Sequence, residues 1–511
     1  MQPGHNGWWQ GMLLALTLGV MVLMLPGPCT LAEAQPRSGG TLIMAVPSEP
    51  PSYDGHREET FGLIHPIAPS YSLLLRVDPR DYTQVVGDIA ERWKVADDQL
   101  SYTFTIRKGV TFHDSSPLTA QDVKASDEKI IFPPAGVVSD RQAQYAVVEA
   151  VEAPDNATVR FRLKRPSASF LLSLASPWNF IYKADILAKD MHWYEQHIMG
   201  SGPFMFVEHV RGAHLVGKRN PNYWDKGKPY LDGYRSLFIS DTAARVAALK
   251  GERAHIEFRG LAPKQRDEIV KALGTKVTVQ ESPWDCILLV TMNHEKKPFD
   301  DPRVRRALTL ALDRYEGSRV LSQIANLQEV AGVQVPGTPY ATPPAALGRL
   351  AGYGKNIEAS RQEARRLLQE AGVAGLSFTF KNRGVPMPYE PLAIWLIDQW
   401  RRIGVHVDQE VIEAAAYYKV LRAGEHAVAM DFQCGYIVDP DLDLYKFLSV
   451  DRNPSNYGRY NDRVLDDLYD KQSRETNAEE RKGYIRQFEK RLLRRGGALP
   501  HDPAMAAHYP A

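Results

Sequence analysis

Apolar residues alternate with polar ones at Tyr102, Phe104 and Ile106, with Thr103, Thr105 and Arg107 between them. That period of two predicts a strand with one buried face. Val159, Phe161 and Leu163 alternate with Arg160, Arg162 and Lys164 in the same way. Helical spacing is equally legible. Asp301 and Pro302 read as an N-cap and a first helical residue, and Val304, Ala307, Leu308 and Ala311 follow at i, i+3, i+4 and i+7. Arg303, Arg305 and Arg306 fall mostly off that stripe, which predicts a solvated face for them. Ser360 with Glu363 predicts a capping box, Ala364, Leu367, Leu368 and Ala371 a buried stripe, and Gly372 a C′ glycine. Thr119 to Asp122 opens another helix after the Pro117 turn. Strand-like and helix-like segments follow one another in mixed order without a repeat, which indicates α/β or α+β architecture.

At 511 residues the chain is long enough for two or three domains. Its 62 Lys and Arg against 61 Asp and Glu leave no basic domain of the kind that nucleic acid usually requires, and no acidic disordered class either. Three cysteines are too few for a disulfide-built scaffold. Gly11 to Leu25 is an apolar stretch of 15 residues. A membrane span needs about 20, so the stretch suits the apolar core of a secretory signal. Ala32 and Ala34 supply small residues for cleavage before Gln35, although no Lys or Arg precedes the apolar stretch. The expectation is export to the periplasm or another extracytoplasmic space, with residues 1–34 as signal peptide. Lipid attachment at Cys29 is the less favoured alternative, because Pro28 precedes it. Cleavage leaves Cys286 and Cys434, and the sequence leaves open whether they bond or stay as two buried thiols.

The search for catalytic chemistry returns mainly absences. There is no HExxH, GxSxG, GxGxxG or P-loop motif, and no CxxC. His113 and Asp114 are neighbours, read as turn residues. No catalytic residue, metal ligand or cofactor is expected. Aromatic residues near turn formers are more suggestive: Tyr223 and Trp224, then Trp284, Trp395, Trp400, Tyr417 and Tyr436. Each is a candidate ligand contact or an ordinary core residue.

The order of several long segments carries a resemblance. Asp88-Ile89-Ala90-Glu91-Arg92-Trp93 leads to Tyr102 through Asp114, then to Pro117-Leu118-Thr119-Ala120-Gln121-Asp122-Val123. Ser201-Gly202-Pro203-Phe204, Arg219 to Trp224, Pro229-Tyr230-Leu231-Asp232, and Asn293 with Pro298 to Arg305 follow. In this order they resemble the family 5 solute-binding proteins of ABC importers, the dipeptide, oligopeptide and nickel receptors. The resemblance runs from about Gly39 to about Leu499. It implies an α/β, two-lobed fold like that of periplasmic binding proteins, with an extra subdomain in the larger lobe and the ligand between lobes. Lobe 1 is expected over 37–290 and lobe 2 over 291–479, with 480–511 returning to lobe 1. The family usually continues some tens of residues further, so a truncated C-terminus is part of that expectation. The implied protein is a monomer that hands its solute to ABC permease and ATPase subunits and is not an enzyme.

The same resemblance points to ligand residues. Peptide-binding relatives hold the ammonium group with an acidic residue in a longer loop. Here Gly435-Tyr436-Ile437-Val438-Asp439-Pro440-Asp441 is shorter and lacks the earlier aspartate. Asp439 either substitutes for it or is a turn residue beside Pro440. Arg383 stands where some dipeptide receptors grip a carboxylate, a task suited to a bidentate guanidinium. The expected ligand contacts are thus Arg383, Asp439, Tyr436, Trp284, Trp395 and Tyr417. The leading reading is a peptide receptor. The alternatives are the same fold holding a nickel chelate, an oligosaccharide or another small molecule, an exported hydrolase, or a receptor that signals without transport.

Overall fold

A computed structural model describes residues 36–257, 260–280, 286–325, 327, 329–434, 439–475, 477–494 and 503–507. The chain divides into residues 1–38 and 39–511, and every element below belongs to the second unit. The expected signal peptide, Trp284 and Tyr436 lie outside the described residues.

The first sheet has the strand order Ile256–Glu257, Thr41–Val46, Gly233–Phe238, His214–Arg219 and Phe204–Val210. Thr41–Val46 runs parallel to both neighbours, and the remaining pairs are antiparallel. A four-stranded antiparallel sheet follows the order Ala90–Val95, Ser101–Ile106, Thr158–Leu163 and Val148–Asp155. Tyr102, Phe104, Ile106, Val159, Phe161 and Leu163 all point into its core, as the alternation predicts. The helix Ala120–Ile131 covers this sheet. Thr119 and Asp122 close the capping box at its start.

The third sheet has the order His406–Ile412, Ser377–Arg383, Val428–Cys434, Cys286–Met292 and Pro503–Ala507. Its central strands Cys286–Met292 and Val428–Cys434 pair antiparallel, from Cys286 opposite Cys434 to Met292 opposite Val428. Both are buried on both faces; Cys286–Met292 is accordingly apolar but for Thr291, whereas Val428–Cys434 also buries Asp431 and Gln433. Cys286 and Cys434 are joined by a disulfide, which resolves the alternative the sequence left open.

Two local expectations need correction. Arg305 is buried on the helix Pro302–Leu310, where its guanidinium donates to the Phe299 carbonyl, while Arg303 stays outside on Asp301. A long arginine stem can cross apolar surface to reach a backbone acceptor, so a place off the apolar stripe does not guarantee solvation. The helix Ile357–Glu370 starts before Ser360, because Asn356 caps it by accepting from the Ala359 N–H at 3.1 Å. Asparagine is as good an N-cap as serine. Gly372, at φ 72°, follows the helix where a left-handed residue is required.

The strand Cys286–Met292 runs across the expected lobe boundary at 290/291 as one continuous element. Residues 480–511 were expected to rejoin lobe 1. The helix Ala478–Arg494 shares a core, through Ile485, Phe488 and Leu492, with Leu465 and Leu468 of the helix Arg463–Arg474, with Ile287 and Leu289, and with Ala143. Pro503–Ala507 pairs with Cys286–Met292. The short link between the two helices favours an antiparallel pair with a shared core, and that core belongs to the third sheet.

Candidate functional site

A cavity of about 30 Å³ lies between loops of the first part of the chain and the C-terminal end of the strand Val428–Cys434. Glu59, Arg141, Gln144, Ser176 and Trp178 form one wall, and Phe432, Gln433, Cys434, Leu442 and Tyr445 the other. A larger cavity, about 470 Å³, is lined wholly by residues 249–280 beside the helix Pro263–Leu273. The smaller one is the better candidate, because two separately built walls meet there and several of its polar atoms have no hydrogen-bond partner. Those atoms are Gln144 Oε1, Ser176 Oγ, Trp178 Nε1 and Arg141 Nε. Buried polar atoms are nearly always paired, so a group of orphans facing one cavity marks a place where something else supplies the partners.

The first wall is held by a buried network. Lys129 and Asp54 form an ion pair with side chains 0% and 2% exposed. Asp54 also accepts from Tyr182 Oη at 2.9 Å and from the His56 N–H at 3.0 Å. Burial pushes the Asp54 carboxyl up, but Lys129 and His56 outweigh it and leave the carboxyl below its ordinary range. His56 Nε2 donates to the Phe180 carbonyl at 2.8 Å, and burial together with Lys129 lowers its pKa to about 3. Arg141 Nη2 donates to the carbonyls of Gly55, at 2.7 Å, and Glu58. Its guanidinium lies 5.1 Å from the Trp178 ring centre. These contacts fix the loop that delivers Glu59.

The second wall is built by the third sheet. Arg383 ends the strand Ser377–Arg383 behind Phe432, 5.0 Å from that ring and 4.3 Å from Tyr389. Its Nη1 donates to Tyr418 Oη at 2.5 Å, and its Nε has no partner. Lys446 pairs with Asp431 at 3.2 Å, and burial nevertheless lifts the Asp431 pKa to about 6. Side chains also join wall to wall beside the cavity. Tyr457 Oη donates to Glu59 at 2.8 Å and Ser455 Oγ to Asp140 at 3.3 Å. Arg422 stands 3.8 Å from Asp140, whose pKa burial and Glu59 raise to about 7. Ser169 Oγ donates to Asp441.

Of the residues singled out in the sequence, Arg383 packs against a lining side chain, Phe432, 5.0 Å from its ring. Asp439 is occupied elsewhere: it caps the helix Pro440–Leu444 and pairs with Arg481 at 3.1 Å. Burial and Asp441 raise its pKa to about 6. Trp395 packs against Gly317, where an added Cβ would sit 2.4 Å from the indole. Tyr417 is a core residue whose hydroxyl donates to the Met430 carbonyl, and Trp400 Nε1 donates to the Leu308 carbonyl at 3.2 Å. None of these three lines the cavity. Glu59, Arg141, Gln144, Ser176, Trp178 and Phe432 were missed. They come from loops and a strand end far apart in the chain, and no spacing ties them together.

Among the described residues, no three His, Cys, Asp or Glu side chains gather as a metal site, and no helix is long and apolar enough to cross a membrane. What the site offers is hydrogen bonding, aromatic surface and charge, delivered from two walls.

Residues 84–455 match the model of the bacterial extracellular solute-binding proteins, family 5. The chain belongs to this family. It is similar to the di/tripeptide-binding protein 2 of Pseudomonas aeruginosa, 29% identical over 475 residues, covering 88% of this chain and 82% of that one. It is also similar to the heme-binding protein A of Haemophilus influenzae, 29% identical over 426 residues, covering 78% and 75%. Among solved structures, the periplasmic binding protein DppA of Helicobacter pylori with the peptide STSA superposes with TM-score 0.80 at 24% identity, covering 93% of both chains. AgaA of A. tumefaciens with agropinic acid gives 0.79 at 24% identity and 92% of both. The family member is a two-lobed α/β protein. The cavity's walls come from loops between residues 59 and 178 and from residues 432–445 at the end of a third-sheet strand.

Proposed function

We propose that this solute-binding protein captures short peptides between its two lobes outside the cytoplasm and presents them to the permease and ATPase subunits of an ABC importer. The observation that carries the reading is the cavity lined from both sides, with orphaned polar atoms on one wall and the Arg383 guanidinium behind the other. A solute there touches both walls only when they meet, so its differential contacts favour the closed arrangement. A volume of about 30 Å³ holds little more than a water, so loading requires the walls to part. Lobe 1 in this reading ends before Cys286, and residues 286–494 with the strand Pro503–Ala507 form lobe 2. Arg383 takes a carboxylate of the solute, Asp439 braces lobe 2 through Arg481, and no bond of the solute is made or broken. Export by residues 1–34 and action as a monomer complete the reading.

The similarity to a heme-binding protein and to a receptor crystallised with agropinic acid favours a second reading, the same fold around a non-peptide solute. Thermal unfolding against a library of di- to nonapeptides separates the two. A peptide at 100 times its Kd adds about 2.7 kcal/mol to the folded state and raises Tm. Absence of a shift with every peptide, alongside a shift with sugars, opines or porphyrins, would replace the first reading with the second.

A further inference from the structure

Three buried cations near the site have carboxylate partners, Lys129 with Asp54, Lys446 with Asp431 and Arg481 with Asp439, and the part-exposed Arg422 lies 3.8 Å from Asp140. Two others form no ion pair among the described residues. Arg141 is 4% exposed and donates only to the carbonyls of Gly55 and Glu58, with Nε unpartnered. Arg383 is 2% exposed and donates only to Tyr418, again with Nε unpartnered. They stand on opposite lobes. Arg141 lines the cavity, and Arg383 backs Phe432, which lines it from the other side. Burying a charge without a direct ion-pair partner is costly, and here the help is Coulombic only, from Glu59 on Arg383 and from Asp140 on Arg141. That cost is offset if the counter-charge arrives with the solute.

Beside Arg141 two donors are free for an anion, and the Glu59 carboxylate on the same wall is engaged by the Tyr457 hydroxyl. Trp178 Nε1 is a donor only, Ser176 Oγ can donate, and both are buried, unpartnered and on the same wall. Holding two backbone carbonyls accounts for Arg141 Nη2. It does not account for the three orphaned groups gathered beside it.

We propose that Arg141, with Trp178 Nε1 and Ser176 Oγ, forms an anion subsite on lobe 1 opposite Arg383, so that the preferred solute carries two carboxylates and spans both lobes. This deepens the receptor reading above and rests on it. Gln144 Oε1, also unpartnered on this wall, accepts an N–H of the same solute.

The test compares matched ligands by calorimetry on the full exported chain. One pair is Ala-Glu and Ala-Gln, the other glutarate and its monoamide. The expected result is that the dicarboxylate of at least one pair binds about tenfold or more tightly than its amide. The ratio falls towards one in Arg141→Gln, which keeps a donor for the backbone carbonyls. Trp178→Phe keeps the ring, lowers the same ratio, and gives an answer even where Arg141→Gln does not fold. Equal affinities within both pairs, or a preference that survives both substitutions, overturn the subsite, as does binding of none of the four. Discrimination in the glutarate pair with no peptide bound supports the subsite and removes the peptide reading, so the two fail separately.

Discussion

His56 gives the strongest handle on how the first wall is held. The ring is fully buried, donates through Nε2 to the Phe180 carbonyl and lies 4.3 Å from the Tyr182 ring. Burial first, then the Lys129 charge, lowers its pKa to about 3. In the unfolded chain it titrates near 6.5. The folded value is the lower one, so stability is complete above pH 6.5 and declines as acid protonates the unfolded chain but not the folded one. At pH 4.5 the loss reaches about 2.7 kcal/mol. A folded pKa of 4 instead of 3 changes that figure by only about 0.1 kcal/mol. The loss is a large share of a stability of about 5–15 kcal/mol. Asp140 and Asp431, raised by burial to about 7 and about 6, act in the opposite direction, gaining stability as pH falls. The experiment therefore compares the protein with His56→Gln, in which those carboxylates are still present and cancel. Urea unfolding at pH 7.5, 6.5, 5.5 and 4.5 gives the difference in unfolding free energy at each pH. The expected result is a difference that shifts by about 2.7 kcal/mol in favour of the variant between pH 7.5 and 4.5. A difference that stays constant across the range would falsify the buried neutral imidazole, and with it this account of how the Glu59 loop is anchored.

The Lys129–Asp54 pair supports the same loop. Lys129→Met leaves the Asp54 carboxylate buried with Tyr182 and the His56 N–H as donors, and is expected to lower stability by about 3–5 kcal/mol in urea unfolding at neutral pH; a loss below 1 kcal/mol would mean the pair is solvated. Arg383→Ala is expected to weaken carboxylate-bearing solutes by about 10- to 100-fold while sparing solutes amidated at that group, and calorimetry showing equal losses for both would remove Arg383 from ligand recognition.

Much of the fold was legible because its signals are local. The alternation at Tyr102–Ile106 and the cap at Thr119 need only neighbours in sequence, and both appear as read. The strand Val428–Cys434 was harder, since burial on both faces removes the alternation that marks a strand. The cavity was hardest. Trp395, Trp400 and Tyr417 drew attention as large aromatics, yet size is what the core selects as well, and all three lie in or against the core beside the third sheet. Asp439 had the right residue type, but the helix that starts at Pro440 and the arginine at 481 take both its oxygens. Arg141 and Glu59 carry no local signal, because their place on the cavity wall comes from loops that meet only in the fold. Only coordinates reveal that.

In the proposed receptor, the same orphaned atoms would make closure depend on the solute. Tyr457 to Glu59, Ser455 to Asp140 and Ser169 to Asp441 bind the lobes directly, each worth about 0.5–1.5 kcal/mol net. Against them, Gln144, Ser176, Trp178 and Arg383 each hold a buried polar atom without a partner, and leaving such an atom unsatisfied costs about 1–3 kcal/mol. We expect the balance between this arrangement and one in which water reaches those atoms to depend on the solute. A ligand shifts that balance only by the difference in its affinity for the two forms. Groups that are satisfied solely when both walls surround the solute supply that difference. On the proposed reading, a solute that leaves Arg141 or Arg383 unmatched is expected to bind but to favour closure weakly.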